Sequence, residues 1–339
     1  MVKPRSTYLL FLIFLLPPLL CGCPYNPIPP GSDIIFWGWK PDGSGIVAVR
    51  WTDSYPQRGR EVVAFNLQGQ ELSSVRLEKA ISYNEFSDKL YFVSDGERFL
   101  AQIDTDIFIV DPLTGTESLV VSGQKFIAAS PSGKLIFTWQ YHTSDSIQYA
   151  IISLNGNIQR RVANWGMPVS GSFAPYFGPS GLSFINDSLF IACFSDTGIC
   201  SLTLFDTLFT IKYSANDREG YTVSAFAQQA NQLVYLSSSG FSIFDVPSRT
   251  IIRHIQSAPS AVLSLDVSPT GGFFVYNVSD NGRFFFDPSS IMLFNLKTNQ
   301  ETKLESGIAS SGQLSPDGKL LGFFTRSDDR GKLNIIPVP

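Results

Sequence analysis

A Pro-containing turn followed by an apolar strand recurs along the chain, and it constrains the fold more than any other feature. It reads "KPDGSGIVAV" from Lys40, "SPSGKLIFTW" from Ser130, "SPTGGFFVYN" from Ser268 and "SPDGKLLGFF" from Ser315. The residue after the proline, or its equivalent, serves as a marker. Clear markers fall at Asp42, Ser132, Thr270 and Asp317, and degenerate ones at Asp88, Asn186 and Asn231. Successive markers are 46, 44, 54, 45, 39 and 47 residues apart. A period of about 40–50 residues with several short strands per unit is that of a β-propeller. Seven markers therefore predict an all-β ring of seven four-stranded antiparallel blades over residues 33–339.

The turn chemistry agrees. In Ser-Pro-Asp-Gly, proline presets φ for the second position of a type I turn, aspartate suits the third and glycine the fourth. Such a turn joins strands A and B of a blade. A second landmark follows in "FNLQGQ", "VDPLTGTE", "SLNGNI", "FDVPSRT" and "FNLKTNQ". These read as C–D hairpin turns, with Gly or Asn able to enter the left-handed region. A third landmark is Ser/Thr-Asp, as at Thr52-Asp53, Ser94-Asp95, Ser144-Asp145, Ser195-Asp196, Ser279-Asp280 and Ser327-Asp328. It is expected to close strand B and open the B–C turn by bonding its own backbone. Together the S-P-[DST]-G turn, the S-D pair and the later D-x-x-T-G turn resemble the WD40-like repeats of TolB-type propellers. The resemblance runs over residues 33–339 and is weakest in the fourth blade. It implies a fold and leaves the chemistry open. The last blade ends on its third strand, "KLNIIPVP", so a fourth strand must come from elsewhere or be missing.

The first residues read as an export signal over 1–22. Lys3 and Arg5 precede the apolar run Tyr8 to Leu20, which Pro17-Pro18 interrupts. "LCGC" resembles the lipobox of bacterial lipoproteins, with Leu20 at −3, Gly22 at −1 and Cys23 as the acylated residue. Cys21 departs from the usual small or β-branched residue there. Residues 23–32 then form a Pro-rich tether. The expectation is a cell-envelope protein held on a membrane through Cys23, in a leaflet the sequence does not specify. A formal net charge of −4 supplies no basic patch for nucleic acid.

Catalytic constellations are scarce. His142 and His254 are the only two histidines and fall in different blades, and no "HExxH", "GxSxG" or phosphate-cradling glycine loop occurs. The chain reads as a non-enzyme without cofactor or metal, binding an envelope protein or a glycan. A propeller hydrolase or lyase, or a ligand-binding sensor, is the alternative. The expected binding face is that of the B–C and D–A loops, where long loops of blades six, seven, one, two and three form an arc. It would present Tyr55, Arg58, Arg98, Phe99, Tyr141, Arg283 and Phe284. Aromatics with arginine are typical of interface hot spots. Trp165 and Tyr176, in the long connection from blade three to blade four, would either line a pocket there or form an apolar lid. Finally, a four-residue loop Ser195–Gly198 would place Cys193 directly opposite Cys200, a spacing that a disulfide tolerates in an oxidising compartment.

Overall fold

The computed structural model describes residues 34–51, 60–77, 90–103, 105–143, 146–163, 181–196, 199–217, 221–237, 240–256, 262–279, 289–308, 311–326 and 331–338. They form a seven-bladed β-propeller of antiparallel sheets. Blade 1 holds β1 (Ile34–Trp39), β2 (Ile46–Trp51), β3 (Arg60–Phe65) and β4 (Glu71–Leu77). Blade 2 holds β5 (Tyr91–Phe92), β6 (Phe99–Ile103), β7 (Asp106–Val110) and β8 (Glu117–Val121). Blade 3 comprises β9 (Lys125–Ala129), β10 (Leu135–Thr143), β11 (Ser146–Ser153) and β12 (Ile158–Ala163). Blade 4 comprises β13 (Gly181–Asn186), β14 (Leu189–Asp196), β15 (Ile199–Asp206) and β16 (Ile211–Asp217). Blade 5 follows with β17 (Tyr221–Ala227), β18 (Gln232–Ser237), β19 (Gly240–Asp245) and β20 (Thr250–Ile255). Blade 6 has β21 (Val262–Val267), β22 (Phe273–Ser279), β23 (Ser289–Asn295) and β24 (Gln300–Ile308). Blade 7 has three strands among the described residues: β25 (Gln313–Leu314), β26 (Leu320–Arg326) and β27 (Gly331–Pro337).

Side-chain alternation explains why a ring forms. Successive residues of a strand point to opposite faces, and in β2 both faces are covered. Ile46 and Ala48 join Trp37, Phe324 and Leu333 in the core between blades 1 and 7. Val47 and Val49 join Phe99, Ala101 and Val110 in the core between blades 1 and 2. Seven such clusters occur, one for each pair of neighbouring blades. The inner strands are therefore near-continuous apolar runs, whereas the outermost strands alternate, as in "ELSSVRL" of β4. Phenylalanine fills much of this space. Phe137 of blade 3 meets Phe190 of blade 4 edge-on at 5.3 Å, and both are fully buried. Each such ring contributes about 2–3 kcal/mol by burial.

The ring closes without a strand shared between its ends among the described residues. Trp39 Nε1 donates to the Gln313 carbonyl at 2.9 Å, and Gln313 Nε2 donates to the Trp37 carbonyl at 3.0 Å. Gly69, in the blade 1 turn after β3, lies against the β27 backbone; a methyl there would stand 3.1 Å from the Leu333 carbonyl oxygen. Blade 1 thus packs directly on the third strand of blade 7.

Three sequence expectations need correction. The second blade's A–B turn is Ser94–Glu97, so its marker is Asp95 and not Asp88, which lies outside the described residues. Val93 N donates to Arg98 O at 2.8 Å and Gly96 N to Val93 O at 2.9 Å, as in the other Pro-Gly turns. Ser94-Asp95 therefore opens an A–B turn and does not end strand B. Second, the connections from β6 to β7, β10 to β11 and β14 to β15 are two residues long, since Ile103 pairs with Asp106, Thr143 with Ser146 and Asp196 with Ile199. Third, in that register Cys193 lies opposite Leu202, and Cys200 opposite Ser195. Direct opposition of the two cysteines, the geometric ground for a bridge, does not hold.

Candidate functional site

The A–B turns gather on one face and build a collar. In blades 1, 2, 3, 6 and 7 the turn glycine (Gly43, Gly96, Gly133, Gly271, Gly318) donates to the carbonyl of the residue three before it, at 2.8–2.9 Å. All five glycines have φ between 65° and 73°, a region that costs a residue with Cβ about 1–2 kcal/mol. Aspartate or serine at the preceding position bonds the backbone beyond. Asp42 accepts from Ser44 N, Ser132 from Lys134 N and Asp317 from Lys319 N. The Ser315 hydroxyl, the Lys319 N–H and the nearby Lys319 ammonium hold the Asp317 carboxyl below its usual range against a small burial effect.

Neighbouring turns lean on one another through these glycines. A methyl on Gly318 would lie 3.0 Å from Pro269 Cδ of blade 6, and one on Gly96 would lie 3.8 Å from Pro41 of blade 1. Gly43 faces Pro316 of blade 7, and Gly271 faces Ala230 of blade 5. Gly133 is tightest, with a methyl only 2.4 Å from the Phe92 carbonyl oxygen of blade 2. Backbone conformation calls for glycine at all five turns, and at Gly133, Gly271 and Gly318 the adjacent blade leaves little or no room for a methyl as well.

Blades 4 and 5 lack the motif, and there the collar opens. The blade 4 turn is Asp187-Ser188, tightened by Asn186 Oδ1, which accepts from Ser188 N and Leu189 N at 2.8 and 2.9 Å. It is tied to blade 3 by a polar clasp: the Ser132 hydroxyl lies 2.7 Å from both oxygens of Asp187. The blade 5 turn runs Gln228–Asn231, and Gln229 N and Ala230 N both donate to Pro269 O of blade 6. That turn leans away from blade 4. Over this part of the collar lies a cavity of ≈520 Å³, open to solvent, lined by Pro131 and Ser132 of blade 3, Ile185, Asn186, Asp187 and Ser188 of blade 4, and Gln228 of blade 5.

The outer rim carries a second feature. The exposed large apolar side chains among the described residues all sit in C–D turns or outermost strands of blades 1–5. Leu67, Leu113 and Leu208 occupy turns, while Leu72, Leu119 and Ile211 lie on β4, β8 and β16, with Leu72 67% exposed. The C–D turns of blades 1, 2, 4 and 6 are built alike. Asn66, Asp111, Asp206 and Asn295 each accept two backbone N–H groups from the turn they open. The blade 4 member, "FDTLFT", has no Gly or Asn, and Phe209 adopts φ 62° there. Its ring packs against Phe137 and Phe190, which offsets the conformational cost.

Two residues of the arc expected on the B–C face, Arg98 and Phe99, lie elsewhere. Phe99 is a fully buried core residue of β6. Arg98 ends the blade 2 A–B turn, on the collar face, where its Nε donates to Asp95 at 2.6 Å. Tyr141 belongs to β10, opposite Ile147. Tyr55, Arg58, Trp165, Tyr176, Arg283, Phe284 and Cys23 lie outside the described residues. The long B–C connections are those of blades 6, 7 and 1, not five blades. Sequence reasoning missed the collar cavity, although the loss of Pro and Gly from the fourth and fifth markers was its visible signal. Among the described residues no group of three His, Cys, Asp or Glu side chains stands together as a metal site would need, and no helix is long and apolar enough to cross a membrane.

No protein-family model and no curated protein matches the sequence. The fold is similar to a chain in the crystal structure of a mitotic checkpoint complex, at 14% identity and a TM-score of 0.60, over 92% of this chain and 90% of that one. It is one of 1080 solved chains that match, so the likeness marks a widespread WD40-type architecture and not a chemistry.

Proposed function

We propose that the chain is an exported, lipid-anchored propeller of a bacterial cell envelope, TolB-like in its repeats, that serves as a rigid, non-catalytic platform for protein partners. The observation that carries the platform is the outer rim of blades 1–5, where exposed Leu and Ile side chains recur on rigid hairpins. Apolar side chains displayed on a preformed scaffold lose little entropy on binding. The lipobox-like "LCGC" supports the anchor. An anchor at Cys23 joins the ring at Ile34, where β1 begins on the B–C face. Acyl chains contribute about 0.8 kcal/mol per buried CH₂, so two or three hold a protein stably.

Two measurements test this. Mass spectrometry of the mature protein should show acylated Cys23 as its first residue; an unmodified Cys23 refutes the anchor. Affinity capture from detergent-solubilised envelope should recover a specific protein partner, and Leu72→Asp with Leu119→Asp should weaken its recovery. Failure to recover any specific partner refutes the platform. A metal analysis and an ester or glycan hydrolysis screen of purified protein should both be blank.

A further inference from the structure

We infer that the collar cavity over blades 3, 4 and 5 receives a lysine side chain of the protein partner, an assignment that rests on the platform reading. The space is particular to this place. Around five of the seven turn-to-turn steps a glycine faces the neighbouring turn, whereas over the glycine-free turns of blades 4 and 5 and the adjoining blade 3 turn ≈520 Å³ stands open.

The lining selects the ligand. Among the described lining residues Asp187 is the one ionisable side chain, and none of them is a cation. An anionic ligand would meet repulsion without a compensating group. A sugar would find no aromatic ring on which to stack among the described lining residues, whose apolar wall is Pro131 and Ile185. That wall suits the aliphatic stem of a long basic side chain, whose charged head then reaches a carboxylate.

The clasp discriminates between the two basic side chains. The Ser132 hydroxyl is 2.7 Å from both Asp187 oxygens, so it stands in the fork of the carboxylate. A guanidinium binds carboxylate best by two parallel N–H bonds to that same fork. With the fork filled, Asp187 offers only its outer lone pairs, which suit the point charge of an ammonium. The Ser132 oxygen also accepts from Lys134 N at 3.2 Å, which fixes the hydroxyl in this position. Gln228 and Ser188, both exposed at the rim of the cavity, bring further oxygen acceptors for an ammonium with three N–H donors.

The test uses the full mature protein in detergent and the probe Nα-acetyl-lysine methylamide, followed by saturation-transfer difference NMR. Transfer should be strongest at the δ and ε methylenes, and the arginine analogue should bind several-fold more weakly. Asp187→Asn should weaken the lysine probe by roughly tenfold or more, the range of a hydrogen bond to a charged group. Because that variant also loosens the clasp, Gln228→Lys provides a second arm. It sets an ammonium at the cavity mouth from an exposed position and should abolish probe binding with the clasp intact. No transfer in the wild type, equal transfer in either variant, or an arginine probe as good as lysine overturns the inference. If envelope capture recovers a partner while the lysine probe is silent, the inference falls and the platform stands. Probe binding without any captured partner removes the platform alone.

Discussion

Replacing Gly133 by alanine isolates the contact that makes the collar a property of the ring rather than of single hairpins. Gly123, between β8 and β9, is its control. Both glycines are left-handed, with φ of 65° and 71°. Alanine at either site incurs about 1–2 kcal/mol for that conformation. A gain of about 0.4–1 kcal/mol from the less flexible unfolded chain opposes it. At Gly123 nothing lies within 4 Å of the added methyl, so the net loss should be about 1 kcal/mol or less. At Gly133 the methyl would stand 2.4 Å from Phe92 O and 2.7 Å from Val93 C and Cα. These are backbone atoms of blade 2, which cannot rotate aside. Overpacking of this kind costs about 1–3 kcal/mol more, for a total near 2–4 kcal/mol. Urea unfolding of the two variants with equal m values reads the difference directly. Equal midpoints for Gly123→Ala and Gly133→Ala would show that the turns do not bear on one another, and the reasoning from the collar would fail.

Other perturbations follow from the same contacts. Gln313→Ala removes the amide bonded to the Trp37 carbonyl across the blade 1–7 junction; that carbonyl keeps the Leu90 N–H at 3.1 Å, so the loss should be about 1 kcal/mol, the net worth of one hydrogen bond, and no measurable change contradicts this closure. The carboxyls of Asp42, Asp245 and Asp317 are held below their usual range, chiefly by the Ser44 N–H, the Ser248 hydroxyl and the Ser315 hydroxyl. Their contribution is complete above the unfolded value of about 3.9 and is lost as pH falls through the depressed native values. Unfolding free energy should therefore stay flat between about pH 7 and 5 with respect to these groups, fall below about pH 4, and fall less steeply when all three are asparagine. Cys193 and Cys200 stand diagonally across the β14–β15 hairpin, where Cα atoms are typically about 7–8 Å apart, beyond the usual disulfide span of about 6.8 Å. Thiol titration of the unfolded, unreduced protein should find both free, and their absence would refute the register argument.

The blade count was legible because one turn chemistry recurs at a nearly constant period and because Pro and Gly act locally. Where that chemistry weakens, the reading slipped. "EFSDKLYF" imitates a marker, while the true second turn, "VSDGER", has serine in place of proline and follows a strand of only Tyr91–Phe92. The first two strands of the second blade were consequently displaced, and Arg98 and Phe99 were carried to the wrong face, while its third strand and C–D turn stand where the sequence puts them. The β14–β15 hairpin failed differently. A shift of two residues keeps every side chain on its face, so the apolar pattern cannot tell a two-residue loop from a four-residue one. The cavity was beyond reach because it arises between blades. It depends on how Asn186–Ser188 and Gln228–Asn231 fail to meet, and no local propensity records a contact that is not made.

The most direct test of the account places a photo-reactive amino acid at Gln228, in the collar gap, and separately at Gln300, exposed on the outer strand β24 of blade 6. Irradiation of intact envelope followed by mass spectrometry then reports which position touches a partner. One dominant cross-linked protein is expected from Gln228, attached beside a lysine of that protein, and none of it from Gln300. Cross-links absent from Gln228, or the same pattern from both positions, would contradict a partner seated at the collar.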